Sequence, residues 1–131
     1  MKIERKSEGK HAVVLAVSGT IQGGPDADAF QSTMRELVLE GRRNVLLDMQ
    51  GVNWINSTGL GILISGHTSL KRSGGTMKIV HLTERVESLF AVTKLNLVFE
   101  VFKDEIEALR SFRPAEEPAS RPAPRVPGGA A

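Results

Sequence analysis

The chain has 131 residues, 40% apolar and 24% charged, with a formal net charge of +2, one tryptophan and no cysteine. That length supports one domain with a sizeable core rather than two, and no apolar run approaches the roughly 20 residues of a membrane span. Without cysteine there is no disulfide, thiol catalysis or cysteine zinc site; near-balanced charge and few aromatics argue against direct nucleic-acid binding; and Met1 to Lys6 leads into no signal-peptide core, so a soluble cytoplasmic protein is expected.

Lys2 to Ser7 alternates loosely as an edge strand, and Glu8-Gly9-Lys10 turns it into the apolar run His11 to Ser18, which predicts an N-terminal hairpin. The second strand is apolar on both faces, as a strand covered by helices requires. Gly19 to Asp26 interrupts it. Pro25 and Asp26 open a helix with Phe30, Met34, Leu37 and Val38 as its buried stripe, and Gly41 closes it. Asn44 to Met49 is a second core strand, placing Asp48 at a carboxyl edge, either as a ligand group or as the cap of a turn at Gly51 to Asn53.

Leu60, Leu63, Ile64, His67 and Leu70 recur at helical spacing, so a helix runs from just after Ser57 to about Ser73, where Gly74-Gly75 stops it. Thr76 to Leu82 is a third core strand. Thr83 caps a helix from Glu84 with Val86, Leu89, Phe90 and Val92 on its apolar face, and Val98 to Phe102 is a last strand before a closing helix from Asp104 with Ile106, Leu109 and Phe112. Alternating strands and helices predict an α/β domain over residues 1–113: a mixed sheet, antiparallel at its N-terminal hairpin and then parallel, with about four helices. Residues 114–131 hold five of the six prolines and read as a disordered Pro/Ala-rich tail.

The stretch Asn53-Trp54-Ile55-Asn56-Ser57-Thr58-Gly59-Leu60-Gly61 concentrates the chemistry. Asn, Ser and Thr cap helix starts, and the free N–H groups there favour an anion. Gly59, Gly61 and Gly66 each cost a helix about 1 kcal/mol against alanine. Close packing accounts for such glycines, and so does a low surface that a partner approaches. Trp54 and Ile55 beside them are core, interface or both. No complete phosphate loop, dinucleotide fingerprint or nucleophile elbow is present. His67 lies two turns along the helix from Ser57, His11 and His81 sit at strand positions, and no metal-ligand spacing is evident, so neither enzyme activity, metal nor other cofactor is expected.

At these residues, together with Val17-Ser18-Gly19-Thr20-Ile21 and Asn44 to Met49, the chain resembles the STAS domain family, specifically its stand-alone anti-sigma factor antagonists. The resemblance runs from about Met1 to Phe112 and leaves the tail outside it. It implies a STAS-like sheet and a protein that binds an anti-sigma factor, often a serine kinase, and so frees a sigma factor. It further implies phosphorylation of Ser57 by that kinase and reversal by a metal-dependent serine phosphatase. Asn56, Thr58, Gly59, Leu60, Gly61, Ile62 and Gln22 are the corresponding partner-binding positions. Two departures stand out: Asn56 replaces the usual acidic residue before the serine, and Thr20-Ile21-Gln22-Gly23-Gly24 lacks the carboxylates of many members. They leave open a constitutive, non-phosphorylated STAS scaffold within another signalling or lipid-transport assembly.

Overall fold

A computed structural model describes residues 1–112. The tail expected from Pro114 lies outside the described residues. The elements are β1 (Lys2–Glu8), β2 (Val13–Ile21), α1 (Pro25–Leu39), β3 (Asn44–Ile55), α2 (Ser57–Arg72), β4 (Thr76–Val80), α3 (Glu84–Val92), a 3-10 turn (Leu95–Leu97), β5 (Val101–Phe102) and α4 (Glu105–Arg110). The sheet runs β1-β2-β3-β4-β5, with β1 antiparallel to β2 and every later pair parallel. This is the expected α/β mixed sheet with four helices. Each parallel crossover advances one strand in the same direction, which gathers α1, α2 and α3 on one face.

Strand alternation divides the core between the two faces. Val13, Leu15 and Val17 of β2, Val45, Leu47 and Met49 of β3, and Met77 and Ile79 of β4 pack with Phe30, Met34, Leu37, Leu63 and Phe90 of the three helices. The intervening Val14, Leu46 and Val80 face the other way and are covered by Ala108 and Phe112 at the short α4. Lys78 on that second face is also buried. Its ammonium donates to the Ser111 carbonyl at 3.1 Å and hydroxyl at 2.8 Å and pairs with Glu100 at 3.0 Å, which ties α4 to β4.

Local rules account for most boundaries. Pro25 occupies the first turn of α1, and Gly41 ends it at φ 81° with Arg42 N–H returning to the Leu37 carbonyl at 2.8 Å. Thr83 and Asp104 cap α3 and α4 by accepting from the Val86 and Ile106 N–H groups.

Five expectations need correction: β2 is not interrupted at Gly19 but runs on to Ile21. β3 does not stop at Met49 but continues to Ile55, because two extra residues relative to β2 are absorbed as bulges instead of a turn. β4 ends at Val80, and His81 follows in the left-handed region at φ 62°. The strand expected at Val98 shrinks to Val101–Phe102 because the preceding residues form the 3-10 turn that buries Leu95, with Phe99 buried just beyond it. Ile64, Val92 and Ile106, read as buried stripes, are 38%, 78% and 62% exposed, while Ile62 is buried at 6%.

Candidate functional site

The carboxyl ends of β2 and β3 meet the start of α2. Asn56 N–H donates to the Ile21 carbonyl at 3.2 Å, joining the two strand ends, and Asn56 Oδ1 accepts from the Gly59 N–H at 2.8 Å. Asn56, in extended backbone, is therefore the N-cap. The cap role puts Ser57 at the first helical position, where its side chain is exposed, with Thr58 exposed beside it. No acidic residue lies in the first turn of α2. A phosphate on Ser57 would meet the positive end of the helix dipole with no carboxylate of that turn opposing it.

The three glycines of α2 separate into two kinds. A Cβ on Gly59 would lie 2.2 Å from the Ile21 carbonyl oxygen, and one on Gly66 would lie 2.3 Å from the Phe30 ring, so both are fixed by packing against β2 and α1. A Cβ on Gly61 would meet no atom within 4 Å. Among the partner-binding positions read from the sequence, Gly59, Leu60 and Ile62 turn inward and are buried, Asn56 is half-buried, and Thr58 and Gly61 are exposed, as is the phosphorylation candidate Ser57. Gln22 is exposed on the adjoining loop. Its side chain donates to Thr20 Oγ1 at 2.8 Å, and its N–H donates to Asp26, which also pairs with the N-terminal ammonium of Met1 at 3.4 Å. The Gln22 N–H, aided by that ammonium, holds the Asp26 carboxyl below its ordinary range against the opposing pull of burial. Thr58 packs its methyl where a side chain on Gly23 would otherwise go. The β2–α1 loop and the start of α2 thus form one continuous surface.

Asp48 lies elsewhere, in mid-strand on the second face of the sheet. It is 5% exposed, and it accepts from Lys6 Nζ at 2.7 Å and the Gln50 N–H at 3.1 Å and pairs with His81 Nδ1 at 3.1 Å. Lys6 also reaches Glu105 at 2.8 Å. Burial alone would raise the Asp48 carboxyl, but Lys6, Gln50 and His81 outweigh it and hold it below the usual carboxylate range. Asp48 and then Glu105 push the Lys6 ammonium up. Ligand atoms of Asp48, His81 and Glu105 fall within 4.8 Å of one another, a grouping the sequence reading did not foresee. Lys6 supplies a cation between the two carboxylates and links β1 to β3 and to the start of α4. The turn-cap role for Asp48 gives way to this structural one.

The histidines stay apart from Ser57. His67 Nδ1 is buried without a hydrogen-bond partner among the described residues, and its ring lies on Phe99 at 4.9 Å between centroids. Burial, then the Lys71 charge, lowers its pKa. Among the described residues, no helix is long and apolar enough to cross a membrane.

A STAS domain family model matches residues 3–108, and the chain belongs to that family. Its relatives include an anti-sigma-B factor antagonist of Bacillus subtilis, 32% identical over 53 residues; the match spans 40% of this chain and about half, 49%, of that protein. An anti-sigma factor antagonist from Mycobacterium paratuberculosis shares the fold at a TM-score of 0.69 with 22% identity, over 86% of this chain and 92% of that one. So does part of the murine anion transporter Solute Carrier 26 family member A9, at a TM-score of 0.67 and 15% identity, over 81% of this chain and 18% of the transporter.

Proposed function

We propose that this protein is a cytoplasmic anti-sigma factor antagonist: it binds a kinase-type anti-sigma factor through the start of α2, frees a sigma factor, and lets go when Ser57 is phosphorylated. The observation that carries this reading is the exposed Ser57 hydroxyl at the first position of α2, beside the exposed, uncontacted Gly61. Packing demands Gly59 and Gly66; it does not demand Gly61. A partner surface lying flat on the helix start supplies a reason for keeping the residue that costs a helix about 1 kcal/mol.

The switch follows from charge. A phosphate adds roughly −1.5 to −2 at Ser57. The helix start accepts that charge, so the fold survives. A desolvated interface over Gly61 does not, so the partner is expelled. A metal-dependent serine phosphatase resets the protein. Incubation with ATP and its anti-sigma kinase should place one phosphate on the Ser57 peptide, located by tandem mass spectrometry and absent from Ser57→Ala. Phosphate found only at other residues, or none, contradicts the switch.

Asn56 favours a second reading. It caps α2 as well as an aspartate would, yet brings no charge next to Ser57. A scaffold that binds through the same surface without being phosphorylated, in another signalling or lipid-transport assembly, has no need of that charge.

A further inference from the structure

We infer that Trp54, backed by Arg85, is the anchoring contact of the partner surface next to Ser57. The inference rests on the anti-sigma antagonist reading above and names a part of that site. Trp54 is the one tryptophan of the chain and is 42% exposed, while its neighbour Ile55 is 1% exposed.

A single extra residue produces that division. Gly19 pairs with Val52, but the next residue of β2, Thr20, pairs with Trp54, and Ile21 pairs with Ile55. Asn53 is the inserted residue. In unbroken register Trp54 would face Ile21, which is fully buried, and would turn into the core. The bulge puts Ile55 there instead and delivers the indole to the outside, three residues before Ser57.

The indole is also held. The Arg85 guanidinium lies 5.9 Å from the ring centroid, within cation–π range. On the other side, across the β2–β3 pair, Thr20 is bonded to the Gln22 side chain. Trp54 therefore pairs beside Thr20, whose hydroxyl holds the Gln22 side chain, and lies three residues before Ser57 in the chain. Tryptophan and arginine are both among the residue types enriched in the few positions that carry most of the binding energy of protein interfaces. Glu84 and Glu87 are the charges nearest along α3, so Arg85 is the group of that turn that would meet a carboxylate. The occupant is the kinase-type anti-sigma factor, presenting an apolar contact to the indole and an acidic side chain to Arg85.

The chain contains no tyrosine, so its ultraviolet emission reports Trp54 directly. The full chain is titrated with the purified anti-sigma kinase that phosphorylates it, in the presence of ATP analogue. The inference predicts a blue shift of Trp54 emission at saturation, with binding weakened about tenfold or more by Trp54→Ala and by Arg85→Glu and largely kept by Trp54→Phe. Circular dichroism melts accompany each variant, and if Trp54→Ala melts early, the wild-type emission shift and the Arg85→Glu affinity decide. Unshifted emission in a saturated complex overturns the inference, as does wild-type affinity in both Trp54→Ala and Arg85→Glu; a loss of binding in Ser57→Asp alone then leaves the antagonist reading standing. Loss in Trp54→Ala with full binding by Ser57→Asp supports the anchor and overturns the switch. A blue shift on concentrating the chain alone overturns the inference in favour of a second copy as occupant.

Discussion

The two flanks of α2 are built on different terms. On the inner flank, Gly59, Ile62, Leu63, Gly66 and Leu70 are buried, and the two glycines are explained by what lies against them: the Ile21 carbonyl at Gly59 and the Phe30 ring at Gly66. On the outer flank, Ser57, Thr58, Gly61, Ile64 and Ser65 are exposed. Among them Gly61 has open space around its Cα and Ile64 spends apolar surface in water. The contrast teaches that one residue type carries two meanings within a single turn of helix. A glycine with a backbone oxygen against it is architecture; a glycine facing open space is a residue the fold alone does not require.

The largest effect expected from that contrast lies on the inner flank. Gly59→Ala sets a methyl against a backbone oxygen that cannot move without parting β2 from α2, and it should cost about 3 kcal/mol or more despite the better helix propensity of alanine. Chemical denaturation measures it, and a loss under about 1 kcal/mol would mean the helix start is not held as described.

A smaller, pH-dependent effect belongs to the edge of the same flank. His67 has its pKa lowered from an ordinary 6.5, so its contribution is complete above that value and is lost as pH falls through the lowered one. Melting temperature should decline as pH drops from about 7 to 5, and His67→Phe should flatten that decline. Asp48, also lowered, adds its own loss only below its ordinary 3.8. An equal decline in His67→Phe would place the titrating group elsewhere.

The smallest stability effect is on the outer flank and has the opposite sign. Gly61→Ala should stabilise the fold by about 0.5–1 kcal/mol while weakening partner binding. A stabilised variant that binds as well as the wild type would remove the functional explanation of Gly61.

How much of this was legible in the sequence follows from the range of the interactions involved. The helix start at Asn56-Ser57, the stop at Gly74, the cap at Thr83 and the start of the closing helix at Asp104 were readable because capping acts within three or four residues. The inner flank of α2 was misaligned at Ile64 because counting apolar residues passes over Gly59 and Gly66, which in fact mark the buried side with Ile62. The exposure of Trp54 was hidden because it depends on a bulge, and a bulge is a relation between two strands. The Asp48 cluster was least readable: Lys6 and Asp48 are 42 residues apart and Lys6 and Glu105 are 99 apart, with no local pattern connecting them. Recognition of the STAS family required only the local motif, which is why family and sheet were apparent while the surroundings of the site were not.

The central claim, that the exposed hydroxyl at the start of α2 is a binding switch, is tested most directly by measuring the affinity of the anti-sigma kinase for wild type, Ser57→Ala and Ser57→Asp. The account predicts that Ser57→Ala binds like the wild type and that Ser57→Asp, with its melting temperature unchanged, binds roughly a hundredfold more weakly. Equal affinity for the alanine and aspartate variants would contradict it.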